Sequence, residues 1–183
     1  MNYRSVAVAS TPASDADELV RLVESAQQGD RPAFAALYRR FTRAIHGIVL
    51  ARVPRADADD IVQDVFLVAM QRLPTLHDPS AFAGWLSTIA RHRAVDYLRR
   101  APKTTELPEL AAPAGRDRTD ALAVLAAIRS LPPAYSETLM LRLVEGMTGP
   151  EIAASTGLTP GSVRVNLHRG MKQLRERLEG GLP

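Results

Sequence analysis

Apolar side chains recur along this chain at steps of three and four, and no stretch alternates apolar with polar residues. The pattern predicts helices throughout and no strand. A first helix starts at Asp15 with Leu19, Leu22, Val23 and Ala26 on one side and stops at Gly29. Asp30 caps the second, Pro32 sits in its first turn, and Phe34, Leu37, Tyr38, Phe41, Ile45, Ile48 and Val49 form a continuous stripe up to Pro54. The third opens on Asp57, Asp59 and Asp60, which suit the positive end of a helix dipole. Ile61, Val62, Val65, Phe66, Val68, Ala69 and Leu73 make it apolar on a wide face, which predicts a central helix. After a loop from Pro74, Asp78 and Pro79 begin a fourth helix. Phe82, Trp85, Leu86, Ile89, Ala90, Ala94, Tyr97 and Leu98 are its predicted buried side, and Arg91, His92, Arg93, Arg99 and Arg100 its surface.

The composition then shifts. Residues 101–120 hold three Pro and one Gly with little apolar periodicity and read as a flexible linker, while residues 1–14 read as disordered. A second helical unit follows, with helices over 121–130 and 132–145, the second carrying Leu139, Leu141, Leu143 and Val144. Thr148 with Glu151 forms a capping box, Pro150 lies in the first turn, and Gly157 supplies a left-handed corner plugged by Leu158. Thr159 and Pro160 start a last helix whose apolar face is Val163, Leu167, Met171, Leu174 and Leu178. The fold expected is all-α: two small helical domains, 15–100 and 121–180, joined by the linker.

Charge sharpens this picture. From Thr159 to Leu178 there are five Lys or Arg against one Glu, with small and polar residues at the N-terminal end. That is the layout of a helix-turn-helix whose second helix enters the major groove. A second basic cluster lies over 79–103, with five basic residues and one acidic, although the whole chain is only +3. Two separated basic segments predict two contacts with a polyanion. The chain has no Cys, which excludes disulfides and thiolate metal sites and fits a reducing cytoplasm. No segment has the apolar length of a signal h-region or a membrane span, so the expectation is a soluble cytoplasmic protein without membrane insertion.

The segments DADDIVQDVFLVAMQRL, FAGWLSTIARHRAVDYLRR and LPPAYSETLMLRLVEGMTGPEIAASTGLTPGSVRVNLHRGMKQLRERL, in that order, resemble the extracytoplasmic-function sigma factors of bacterial RNA polymerase. The resemblance covers about residues 15 to 180. It implies a non-enzymatic factor without cofactor or metal, whose partners are core RNA polymerase and promoter DNA, often with an anti-sigma factor as regulator. By the resemblance, Asp60, Gln63 and Asp64 dock on the polymerase clamp helices. Leu76, His77 and Asp78, in the loop to Ser80, with Arg91, His92 and Arg93, handle the minus-ten element. Melted bases need a stacking or pocket surface and cations for phosphates. His92 stands where the family commonly has Asn. Ser162, Arg164, Val165, Asn166, Arg169 and Lys172 face the minus-thirty-five element, with Arg164 matched to guanine, Asn166 to adenine, and Arg169 and Lys172 to phosphates. Val165 and the Thr148–Gly149–Pro150 opening depart from the family pattern.

Three other readings compete with this one, among them a pure interaction protein, such as a polymerase adaptor, that would dock on the core but show no sequence preference in DNA. A stand-alone helix-turn-helix regulator with an N-terminal dimerisation or ligand domain needs no basic cluster at 79–103 and would bind paired half-sites. An enzyme is poorly supported, because His46, His77, His92 and His168 are scattered and no phosphate loop or HExxH motif is present.

Overall fold

The computed structural model describes residues 12–100 and 116–179. The described residues form eight helices: α1 (Pro12–Gln27), α2 (Arg31–Leu50), α3 (Arg55–Arg72), α4 (Phe82–Arg100), α5 (Arg116–Arg129), α6 (Pro133–Leu139), α7 (Gly149–Thr156) and α8 (Pro160–Glu179). Of the expected disordered segment and linker, 1–11 and 101–115 lie outside the described residues. Their inner edges are corrected, since α1 begins at Pro12 and α5 at Arg116.

The first four helices pack around α2, not α3 as the apolar pattern predicts. Nearly half of α2 is buried, including Leu37, Phe41, Ile45, Ile48 and Val49. It touches α1, α3 and α4, and it also meets α6, α7 and the turn between them. The second unit therefore docks on the same helix that organises the first. Asp30 caps α2 by accepting the Ala33 N–H at 3.3 Å. The helix ends at Leu50, four residues short of Pro54, where Arg52 and Val53 both return their N–H groups to Val49.

One core runs through both units. Ala127, Ile128, Leu131, Leu139, Met140 and Leu174 belong to the same buried cluster as Phe41, Phe66, Phe82 and Leu86. A second cluster surrounds Ala44 of α2 with Leu141, Met147, Ile152, Ala153 and Val163. Two glycines, Gly47 within α2 and Gly157 at the end of α7, mark the contact. A Cβ on Gly47 would lie 2.6 Å from Leu141 Cδ2, and a Cβ on Gly157 would lie 2.8 Å from Gly84 Cα. Side chains at these points would hold the units apart.

Several expected helix faces shift. The helix predicted over 132–145 is α6 followed by one wide π-type turn, Met140–Val144. The extra residue in that turn exposes Leu143 and Val144, while Leu139, Met140 and Leu141 are buried. In α8, Val163 and Leu174 are buried, whereas Met171 and Leu178 are exposed. The cause is Gly170, where α6 crosses so closely that a Cβ would meet Leu139 and Tyr135 at 3.2 Å. Leu98 of α4 is exposed as well.

Candidate nucleic-acid and polymerase interfaces

The C-terminal interface is built by local rules. Thr148 and Glu151 close their capping box reciprocally: Glu151 Oε2 accepts the Thr148 N–H at 2.6 Å, and Thr148 Oγ1 accepts the Glu151 N–H at 3.4 Å. The same Thr148 N–H holds the Glu151 carboxyl below the usual carboxylate range. Gly157 takes φ +74°, a conformation open to it because it lacks a Cβ, and turns the chain into α8. There Thr159 Oγ1 accepts the Ser162 N–H at 3.1 Å. The first turn of α8 is thereby fixed before any ligand arrives.

On α8, Ser162, Arg164, Val165, Arg169 and Lys172 are exposed and share the outward side. Lys172 has only a loose pair with Glu176 at 3.9 Å. Asn166 does not join them: it is half-buried and turns toward α6, donating to Thr138 Oγ1 at 3.4 Å. His168 takes the central place instead, exposed one turn from Arg164 and Val165 and one turn from Lys172. Sequence reasoning missed it by selecting for charge, although its spacing from Gly161, Val165 and Lys172 marks the outward stripe.

The N-terminal basic cluster is arranged differently. Among its residues His92 is exposed, whereas Arg91 Nε lies 3.0 Å from Glu137 Oε2, a carboxylate of α6 that is 8% exposed. Arg52 Nη1 sits 2.6 Å from the other oxygen of Glu137, out of line for a hydrogen bond, so it acts as charge. Arg93 pairs with Asp64 of α3 at 3.3 Å, joining a residue expected on DNA to one expected on polymerase. Before α4, the segment Leu73–Thr75 makes one 3-10 turn and Pro79–Ala81 another. Asp78 accepts both the N–H and the hydroxyl of Ser80, which keeps its carboxyl below the usual range. His77 and Asp78 are exposed, and Leu76 is half-buried against the main core. Trp85 is packed too, its ring 5.7 Å from Phe82. A cleft of 960 Å³ separates this loop and Trp85 from Pro150, Ala154 and Gly157.

On α3, Asp60 and Gln63 are exposed and Asp64 is half-exposed. The same face carries Leu67 and Met70, 54% and 52% exposed, which sequence reasoning passed over. Their absence from the buried set was the available signal, since both fall out of step with Val62, Val65 and Ala69. Leu67 and Met70 thus form an exposed apolar strip bordered by Asp60, Gln63 and Asp64.

Comparison with known proteins now bears on this geometry. Residues 37–104 match the family model described as Sigma-70 region 2, and residues 121–174 match Sigma-70, region 4. The RNA polymerase sigma factor CarQ of Myxococcus xanthus is 34% identical over 166 residues, covering 85% of this chain and 95% of CarQ. The chain belongs to the extracytoplasmic-function sigma factors. Within this family, the sigma-E factor of Escherichia coli is 30% identical, covering 86% of this chain and 93% of that protein. BldN of Streptomyces coelicolor is 31% identical, covering 91% and 69%. Among solved structures, CnrH in complex with the cytosolic domain of CnrY is similar with a TM-score of 0.62 and 26% identity, covering 90% of this chain and 99% of that one. As a sigma factor the chain acts in transcription initiation, which disfavours the stand-alone regulator. No helix among the described residues is long and apolar enough to cross a membrane.

Proposed function

We propose that this sigma factor joins core RNA polymerase through α3, reads the upstream promoter element with α8, and handles the opened downstream element with the 76–80 loop and α4. It works in the cytoplasm without a catalytic role of its own. Its partners are core polymerase, promoter DNA and an anti-sigma factor; the relative CnrH, solved with the cytosolic domain of CnrY, supports a protein regulator.

The observation that carries this reading is the division of exposed cations. Arg164, Arg169 and Lys172 stand exposed on one pre-capped helix, with Val165 and His168 between them and only the loose Lys172–Glu176 pair, whereas Arg91 and Arg93 occupy a different unit and are held by carboxylates. Arg164 suits a guanine edge, Val165 a thymine methyl, and Lys172 a phosphate. His168 replaces Asn166 at the centre of that face. Glu137 occupies Arg91 as a phosphate would, so the docked arrangement is a closed state. The helical units 12–100 and 116–179 separate on the polymerase, with the residues between them as the tether. Asp64 then exchanges Arg93 for polymerase, and Arg93 becomes available to DNA.

The test is reconstitution. Core polymerase with the chain starts transcription at a defined position on a cognate promoter, and core alone does not. Initiation that is insensitive to Asp64→Lys would remove α3 from the assignment.

A further inference from the structure

The loop proposed to meet opened DNA has a support that lies outside the basic cluster. Gln27, the last residue of α1, donates through Nε2 to the carbonyls of Leu73 at 3.1 Å and Leu76 at 2.7 Å. These are the carbonyls that begin and follow the 3-10 turn Leu73–Thr75. Leu76 N–H already bonds back to Leu73, so one amide locks the turn and the exit from it together. Past Leu76 the backbone leaves regular structure, and the next two residues are the exposed His77 and Asp78. A carbonyl at such an exit has no helical partner and needs a donor from elsewhere.

The corner that carries Gln27 is itself held. Ser25 Oγ donates to Asp30 Oδ2 at 2.7 Å, and the Asp30 N–H returns to Ser25 O at 3.2 Å, fixing the corner between α1 and α2. Val23, one turn earlier, is fully buried. The far side of the loop is fixed by Asp78 on Ser80. The loop is thus pinned at both ends, once by its own residue and once by a residue nearly fifty positions away.

We propose that Gln27 is a positioning residue for promoter opening: it touches no DNA, and its amide holds Leu73 and Leu76 so that His77 and Asp78 present a fixed surface to the unpaired strand. This rests on the assignment of the 76–80 loop to the downstream element. The chemistry required is donation to two acceptors. Glu at this position offers only lone pairs when ionised, and Met offers nothing, whereas Lys retains donors at similar reach.

The experiment compares the full chain with Gln27→Met and Gln27→Lys on core polymerase. It measures the opening rate by a fluorescent base in the downstream element and the penalty for substituting one base there. Two lost hydrogen bonds predict that Gln27→Met opens about tenfold more slowly and discriminates the substituted base about tenfold less. Gln27→Lys stays within about threefold of the parent. Core affinity and the response to upstream-element mutations stay unchanged in both, which a general loss of folding would not allow. The proposal is overturned if Gln27→Met discriminates like the parent, if Lys fails as fully as Met, or if core affinity falls in step. Should the parent itself show no downstream base preference, the loop assignment falls and this proposal with it.

Discussion

Gly47→Ala separates the stability of the N-terminal unit from its docking to the C-terminal unit. Gly47 lies in the interior of α2, where glycine costs roughly 0.5–1 kcal/mol relative to Ala. A methyl there stabilises α2 whether or not the units are docked, so that gain cancels in the docking equilibrium. What remains is the contact, with a Cβ 2.6 Å from Leu141 Cδ2 and 3.1 Å from Glu145 Cγ. Leu141 is 1% exposed and has little room to retreat. Overpacking of this kind costs about 1–3 kcal/mol, so docking weakens by about 5- to 150-fold. Because the chain has no Cys, dyes attach only to introduced cysteines, for instance Gln71→Cys and Glu179→Cys, one on each unit. Energy transfer between them is followed in urea. Its midpoint falls in Gly47→Ala, while helical signal from residues 12–100 persists to the parent's urea concentration or beyond. An unchanged or raised transfer midpoint would refute the reasoning, since it would mean that the methyl is accommodated without separating the units.

Three further outcomes are expected. Glu137→Gln keeps the shape and removes the charge that holds Arg91; because the Arg91 side chain is 31% exposed, the loss is discounted to about 1 kcal/mol, so the free chain binds a single-stranded downstream oligonucleotide about fivefold more tightly. His46 bridges the units through a hydrogen bond with Glu145 at 2.6 Å, which raises its pKa above 6.5, helped by Asp59 and opposed by burial and Arg55. Its contribution to docking is complete below about pH 6.5 and fades as pH rises through the raised value; His46→Gln flattens that slope in the energy-transfer assay. Lys172→Ala weakens upstream duplex binding nearly equally for all sequences and lowers the salt slope by about one, measured by fluorescence anisotropy across salt.

The parts legible in the sequence were those set by neighbours along the chain. The capping box at Thr148, the corner at Gly157 and the start of α8 at Pro160 each depend on residues within one turn, and the helices between them follow from periodicity. What was hidden depends on distant partners. Glu137 reads as an ordinary surface acid until α6 is laid on α2 and α4, and Gly47 reads as a weak point in a helix until Leu141 arrives opposite it. Gln27 is one polar residue among several at the end of α1, with nothing local to distinguish it. The turn at Met140–Val144 interrupts a run whose composition suits continuous helix. Asn166 was drawn to DNA by its residue type, whereas the backbone at Gly170 sets the rotation of α8 and leaves His168 outward instead.

The most direct measurement of the two-reader account compares Arg164→Ala with Arg91→Ala in complexes with core polymerase on one promoter. Duplex binding at the upstream element and strand opening at the downstream element are read separately. Arg164→Ala should lose about 1–3 kcal/mol of discrimination upstream and leave opening of already-bound complexes intact. Arg91→Ala should bind the upstream element normally and open slowly. Failure of both variants at the same step and the same element would contradict the account.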